Sequence, residues 1–360
     1  MNVSGSIIRS IPGGILDLRI ERSEIPLDTA LAFAARRNTR RRFLFVSRIL
    51  GRHIPTRPSA LREAAAALAR KLTAPPAPCL FIGMAETATT LGQAVWREWL
   101  RQGGSESLYL DTTRSQTGGE VAFSFCEDHS HAPLHFVHYP SPADDPHRVF
   151  ERTASLIIVD DEATTARTAS ALADAYTKWR GSRPEVSLLT LVHWKSADVP
   201  SFRCHSLIEG VFQFTPTGAG PEPPSYEQTA VPPARAPRGT RHGIASPQFS
   251  PWPPEATARI LVIGAGEFGF VPFLIAEQIE VAGGDAFVQA TTRSPVLQGG
   301  AIAHVRSFPA LDGSGYIEFL YNVPDDHSYD RIILCCEGAP PPPAHPLRAV
   351  PRLEIRSTHE

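Results

Sequence analysis

An α/β fold in two domains is what this sequence predicts, and three observations predict it. Apolar runs rich in β-branched residues recur at 79–83, 156–160 and 259–264, each followed by a loop of small residues and then a segment with helical spacing. Such alternation of strand, loop and helix is the pattern of a parallel sheet covered by helices. Residues 215–255 are dense in proline and glycine and poor in apolar side chains, so they are expected to form a semi-extended linker between a domain at 1–214 and a second at 256–360. The same strand, loop and helix plan then reappears beyond the linker.

Composition narrows the class. Of the 360 residues, 42% are hydrophobic, enough for a substantial core in two domains of ordinary size. The formal charge of −2 gives no basic tail for nucleic acid, so no nucleic-acid partner is expected. The N-terminal stretch lacks an apolar run of signal-peptide length, and no segment approaches the roughly 18 apolar residues of a membrane span. A cytoplasmic protein without a membrane partner is the expectation. Five cysteines with no C-x-x-C spacing argue against a disulfide framework or a zinc knuckle and for reduced, structural thiols.

In order along the chain, LDLRI at 16–20 alternates as an extended segment, and LDTALAFAA at 27–35 has helical composition. An apolar FLFV strand follows amid Arg36, Arg37, Arg40, Arg41, Arg42, Arg48 and Arg52. That cluster reads equally as a solvated or RNA-touching face and as a binding surface for a phosphorylated or acidic substrate. SALREAAAALARKL places Leu61, Ala65, Leu68 and Leu72 on one helical face, and the prolines of APPAP end it. CLFIG predicts a strand, with Gly83 at its turn and Thr87 near the start of a helix; a further strand ends at Asp111. The polar stretch 112–120 is a candidate closing loop with Arg114 as its cation. Glu127, Asp128, His129 and His131 lie close together, and three uses stay open for them: a metal site, an acid–base role, or structure. VSLLTLVHW and LIEGVFQF predict two more strands before the linker.

The most chemically loaded stretch is LIIVDDEATTARTAS at 156–170, leading into a helix with Leu172, Ala175, Tyr176 and Trp179 on one face. Asp160 and Asp161 at a strand's end can accept hydrogen bonds from vicinal sugar hydroxyls. Next to them, the amides of Thr164, Thr165, Ala166 and Arg167 and the hydroxyls of Thr164, Thr165 and Thr168 suit a phosphate at a helix N-terminus. A plain βα junction whose acids cap the helix is the alternative.

This stretch resembles the phosphoribosyl-diphosphate (PRPP) signature of the type I phosphoribosyltransferases, a hydrophobic strand followed by Asp-Asp and a Thr-Thr-Gly-x-Thr turn. The resemblance implies that Asp160 and Asp161 hold the ribose hydroxyls and that 164–168 wrap the 5-phosphate. It also implies that the early loop Gly83, Met84, Ala85, Glu86 and Thr87 meets pyrophosphate, with Mg2+ as cofactor and a nitrogenous base or nucleotide as the other reactant. Ala166 stands where the family has glycine, so a turn needing positive φ is strained there. Within this frame Arg114, Glu127, His129 and His131 are the candidate catalytic residues.

The C-terminal part opens on GAGEFG between a strand and a helix, which invites a dinucleotide fold. The next strand ends in AFVQATTRS, with no acid for a ribose, which argues against that reading. An internal echo explains it better. Residues 82–86 return as Ile263-Gly264-x-Gly266-Glu267, residues 111–115 as Ala290-Thr291-Thr292-Arg293-Ser294, and 156–162 as 331–337, with Cys335 and Cys336 set against Asp160 and Asp161. A second, degenerate phosphoribosyltransferase-like α/β domain is the expectation, unable to bind PRPP as donor. Together with FLFVSRILGRHIP, FIGMAETATTLG, GAGEFGFVPF and FLYNV, the motif Thr292-Arg293-Ser294-Pro295 resembles two-part bacterial proteins of tellurium-resistance and stress gene clusters. These join an orotate-phosphoribosyltransferase-like domain to a TRSP domain.

The resemblance implies a Rossmann-like type I transferase using PRPP and Mg2+, with a sensor that binds PRPP without turnover as the alternative. The second domain, with Gly264, Glu267, Thr292, Arg293 and Ser294 as its candidate site residues, is expected to stand in, through Arg293, for the partner subunit that such enzymes often use. An independent enzyme or scaffold is the competing reading of it, and a homodimer is one expected assembly.

Overall fold

Short β-branched runs separated by glycine, proline and polar turns give many brief strands, and the parallel ones are joined through helices. The computed structural model describes residues 6–36, 38, 41–114, 118–126, 134–140, 146–196, 200–218, 239–247, 258–311 and 315–357. In chain order these form β1 (Ser6–Ile11), β2 (Gly14–Ser23), α1 (Leu27–Ala30), β3 (Leu31–Ala35), β4 (Phe43–Ser47), α2 (Pro58–Ala69), β5 (Cys79–Gly83) and α3 (Thr89–Arg101). Then come β6 (Ser107–Asp111), β7 (Val121–Cys126), β8 (Leu134–His138), α4 (Pro146–Arg152), β9 (Ser155–Ala163), α5 (Arg167–Arg180), β10 (Glu185–Trp194) and β11 (Arg203–Pro216). The last are β12 (Arg259–Gly264), α6 (Phe270–Val281), β13 (Asp285–Ala290), β14 (Val305–Pro309), β15 (Ile317–Tyr321), β16 (Arg331–Cys336) and β17 (Leu353–Ser357).

The chain packs as two compact units that are not continuous in sequence. A central unit takes Arg62–Gly210 and Pro233–Gln248, and a terminal unit takes Met1–Leu61, Val211–Pro232 and Phe249–Glu360.

In the central unit the strands run in the order β11-β10-β9-β5-β6, and the pairs from β11 through to β6 are parallel. β5 connects to β6 on one side while β9 flanks it on the other, so the order reverses at β5, the kind of position where open α/β sheets bind ligands. The strands are apolar throughout because both faces are covered. Leu80, Ile82, Leu108, Leu110, Leu156 and Ile158 pack with Leu172, Ala173 and Tyr176 of α5 in one core. That face of α5 is the one its sequence spacing predicts. Residues 239–247, inside the stretch expected as linker, belong to this unit. Ile244 bridges to Tyr109 on the β6 edge, and Arg241 and His242 are buried. Edge pairing through Ile244 holds this segment, which has few apolar side chains.

The terminal unit has a parallel sheet in the order β13-β12-β16-β17. The N-terminal strands belong with it. β1 and β2 form a hairpin, and β2 shows the predicted alternation of buried and exposed residues. Residues 27–35 depart from the predicted helix: one turn, α1, gives way to β3, buried along its whole length and paired antiparallel with β4. Ala32, Ala34 and Val46 share a core with Val296, Ile302, Phe319 and Tyr321, and this burial overrides the helix preference of alanine and leucine. No described helix is long and apolar enough to cross a membrane. All five cysteines are free, and burial pushes the thiols of Cys79 and Cys336 up to about 11 and that of Cys335 to about 12. Burial disfavours the reactive thiolate at these three positions, whereas Cys126 is exposed.

Candidate functional site

Register brings the predicted residues of the central unit to one edge of its sheet. Gly83, the last residue of β5, lies opposite Asp111 of β6 and opposite Val159 of β9. β9 continues beyond β5, so Asp160 and Asp161 project past the end of the central strand, both half-buried. The Asp161 amide donates to Asp160 Oδ1 at 2.9 Å. The chain then turns through Thr164 and Thr165 into α5. Ala166, the residue before the helix, has φ 55° and ψ 23°, the left-handed conformation. The glycine-type turn is therefore made in spite of the alanine, at roughly 1–2 kcal/mol of backbone strain. Arg167 and Thr168 open the helix, whose start has no side-chain cap. His193 on β10 adds a contact that sequence reasoning missed: its Nε2 lies 3.3 Å from the Thr164 carbonyl. The register that sets His193 opposite Ala163 is a property of the folded sheet, and no local pattern marks it.

The loop after β5 is fixed through both backbone groups of one residue, Ala85. Thr112 Oγ1 accepts from the Ala85 amide at 2.8 Å, and Arg114 Nη2 donates to the Ala85 carbonyl at 3.3 Å. The Met84 amide donates to Val159 O at 3.0 Å, and the Ala85–Glu86 peptide is cis. Gly83 must be glycine, since a Cβ there would lie 2.3 Å from the Tyr109 hydroxyl and 2.7 Å from Asp111 Oδ1. Tyr109 is fully buried and donates to Asp111; burial and the Asp111 charge push its hydroxyl well above the ordinary tyrosine range. Thr240 donates to the other Asp111 oxygen at 2.5 Å.

The structure thus brings together Gly83, Met84, Ala85, Glu86, Thr87, Arg114, Asp160, Asp161, Thr164, Thr165, Ala166, Arg167 and Thr168 at one sheet edge. Glu127, His129 and His131, proposed with Arg114 as catalytic, lie outside the described residues. Of the expected closing loop, residues 115–117 lie outside as well. Its flanks are fixed: Thr113 pairs with Phe136, and the Glu120 carbonyl accepts from the Tyr139 amide at 2.8 Å.

Gly264, Glu267, Thr292, Arg293 and Ser294 lie in the terminal unit, and its hydrogen bonds repeat those of the central one. Gly264 lies opposite Ala290 as Gly83 lies opposite Asp111. The Gly266 amide donates to Thr291 Oγ1 at 2.7 Å, as Ala85 does to Thr112. Thr292 pairs with Phe319 as Thr113 pairs with Phe136. Gly264 shares the need of Gly83, since a Cβ there would lie 2.0 Å from Phe268 O. Within the motif, Ser294 O accepts from the Tyr321 hydroxyl at 2.6 Å, and the Arg293 guanidinium lies 4.7 Å over the Tyr316 ring.

One detail of the echo is corrected. Ala265 donates to Cys335 O at 3.3 Å where Met84 donates to Val159 O, and Gly264 lies opposite Cys335. Cys335 therefore matches Val159, Cys336 matches Asp160, and Glu337 matches Asp161. The sequence echo is one residue out because a run of branched apolar residues aligns equally well in two registers. Among the described residues after Cys336 there is no helix equivalent to α5.

Among solved structures, the chain is similar to adenine phosphoribosyltransferase from Rhodothermus marinus (15% identity, TM-score 0.33, covering 51% of this chain and 96% of that one). It is similar to the enzyme of that name from Thermoanaerobacter pseudethanolicus (14%, 0.31, 42% and 81%). A third is adenine phosphoribosyl transferase from Trypanosoma brucei, in complex with AMP, pyrophosphate and ribose-5-phosphate (13%, 0.28, 38% and 53%). No curated protein matches the chain. Residues 30–206 match the family model described as phosphoribosyl transferase, and residues 241–348 match the model of the TRSP domain C-terminal to it. On these two matches the chain belongs to the phosphoribosyl transferase family, in the form that carries a C-terminal TRSP domain.

Proposed function

We propose that the central unit transfers the phosphoribosyl group of PRPP, with Mg2+, to or from a nitrogenous base, in a biosynthetic pathway associated with tellurium resistance. The observation that carries this reading is the alignment of Asp160, Asp161 and the left-handed Ala166 turn with the 83–87 loop at the point where strand order reverses. Bond cleavage at C1 of PRPP gives a transition state of oxocarbenium character. An enzyme gains by fixing the ribose, neutralising the departing phosphates and excluding water. In this proposal Asp160 and Asp161 accept hydrogen bonds from the ribose hydroxyls. The amides and hydroxyls of 164–168 hold the 5-phosphate at the start of α5. The 83–87 loop and Arg114 receive the pyrophosphate, while Glu127, His129 and His131 handle protons.

The donor set fits Mg2+. Asp160 and Asp161 at a strand end are hard oxygen donors. The ion would sit mainly on substrate oxygens and water, with Asp160 and Asp161 beside it, supplying charge neutralisation. The strained Ala166 motivates the alternative of a non-catalytic sensor, which would hold the 5-phosphate in the same turn without turnover. Incubation of the full chain with labelled PRPP, Mg2+ and a panel of bases and nucleotides tests it. A transferase releases pyrophosphate in the presence of one base class. Binding of PRPP with no release under any base would favour the sensor.

A further inference from the structure

We infer that His135 is a positioning residue, which sets the loop proposed to receive pyrophosphate by orienting the hydroxyl of Thr112. This deepens the function proposed above and rests on it for the identity of the ligand. His135 and Thr112 are completely buried, and His135 Nδ1 lies 3.1 Å from Thr112 Oγ1. The same Oγ1 accepts from the Ala85 amide, and Arg114 takes the Ala85 carbonyl. Both backbone groups of Ala85 are therefore held, its carbonyl by a guanidinium and its amide by a hydroxyl with a buried imidazole behind it.

The terminal unit contains the same arrangement built from other residues. There Thr291 Oγ1 accepts from the Gly266 amide at 2.7 Å, and Arg52 Nη1 donates to the Gly266 carbonyl at 2.6 Å. Behind Thr291 stands Glu318, which accepts the Thr291 hydroxyl at 2.6 Å and is 3% exposed. Glu318 precedes Phe319 as His135 precedes Phe136, so the two side chains hold equivalent places in equivalent hairpins. A carboxylate can only accept from that hydroxyl. The repeat therefore assigns the acceptor role to His135 Nδ1, with the ring proton on Nε2. Thr112 then takes the Ala85 amide with its lone pair and donates its hydroxyl hydrogen bond to the imidazole, which fixes the hydroxyl's rotation and the height of the loop. The ring stacks on Phe125 with centroids 4.8 Å apart, which holds its plane.

The test uses the full chain and four variants, Thr112→Val, Thr112→Ser, His135→Phe and His135→Asn. Affinities for pyrophosphate and for ribose 5-phosphate are measured by calorimetry with Mg2+, and exchange of the Ala85 amide is followed by NMR. Loss of one hydrogen bond of about 1 kcal/mol corresponds to roughly five- to tenfold. Thr112→Val and His135→Phe should weaken pyrophosphate by about that factor, leave ribose 5-phosphate within about twofold, and speed exchange at Ala85. Thr112→Ser and His135→Asn, which restore a hydroxyl or an acceptor, should stay within about threefold of the parent. The double variant Thr112→Val/His135→Phe should be no weaker than either single one, because both break one chain of bonds. Unchanged pyrophosphate affinity, an equal loss for ribose 5-phosphate, or multiplying effects in the double variant would overturn the inference. If the parent binds neither ligand, the transferase reading fails instead. Exchange at Ala85 then decides, and no acceleration in Thr112→Val or His135→Phe overturns the positioning role.

Discussion

Replacing Gly83 by alanine probes the close approach on which the site is built. The backbone torsion at this position is not in the left-handed region, so the added methyl is opposed by neighbours and not by φ. Its Cβ would stand 2.3 Å from the Tyr109 hydroxyl, 2.7 Å from Asp111 Oδ1 and 3.2 Å from Ala88 O. Tyr109 cannot retreat, being fully buried and stacked on Trp96 at 5.7 Å. Separating its hydroxyl from the Asp111 carboxylate forfeits a charge-assisted hydrogen bond of about 1.5–3 kcal/mol, and overpacking adds about 1–3 kcal/mol. The lower entropy of the unfolded alanine chain returns about 0.4–1 kcal/mol. The expected loss is roughly 2–5 kcal/mol.

Urea unfolding read by tryptophan fluorescence suits the measurement, because Trp96, Trp99, Trp179 and Trp194, four of the five tryptophans, lie in the central unit. In a Tyr109→Phe background the nearest clashing atom is gone, so Gly83→Ala should cost about 1–2 kcal/mol less there. A loss below about 1 kcal/mol, or the same loss in both backgrounds, would refute the reasoning.

Other consequences follow from the same geometry. Ala166→Val places a β-branched side chain at positive φ in a buried site and should cost more than about 2 kcal/mol, whereas Ala166→Gly trades strain for chain entropy and should change stability by less than about 1 kcal/mol. Chemical denaturation of the two variants distinguishes them. Arg52→Met leaves the Gly266 and Thr291 carbonyls, now bonded at 2.6 and 2.7 Å, without their guanidinium. It should destabilise the terminal unit by about 2–5 kcal/mol, read as faster hydrogen exchange in 264–268. Burial, with Arg52 and Arg36 nearby, lowers His53 to about 3. The unfolded chain takes up a proton below about 6.5 that the folded one refuses, so this contribution is complete above pH 6.5 and is lost as pH falls toward 3. Between pH 7 and pH 5 the protein should lose about 2 kcal/mol more than a His53→Asn variant, measured by urea unfolding at both values.

Much of the central unit was legible because its signals are local. An apolar run ending in Asp160-Asp161, small residues, and apolar positions spaced by three and four specify strand, turn and helix without reference to the rest of the chain. Even the strain at Ala166 was readable, since a turn that wants glycine keeps its torsion when given alanine. What the sequence obscured was set by pairing at a distance. Residues 31–35 look helical in isolation and become a strand because Phe43–Ser47 and the core around Tyr321 bury both their faces. Segment 239–247 reads as linker and is held by Tyr109. The slip of one residue between Cys336 and Asp160 has the same origin, as a uniform apolar run carries no register of its own. His135 and Glu318 share no residue type, so their equivalence shows only in hydrogen bonds to Thr112 and Thr291.

The central claim is that the edge of the central sheet is a PRPP site, and calorimetric titration of the full chain with PRPP and Mg2+ tests it most directly, repeated with Asp160→Asn/Asp161→Asn. The account predicts saturable binding to the parent, weakened at least tenfold by the double substitution with the unfolding midpoint little changed. Equal affinity in the two proteins would contradict it.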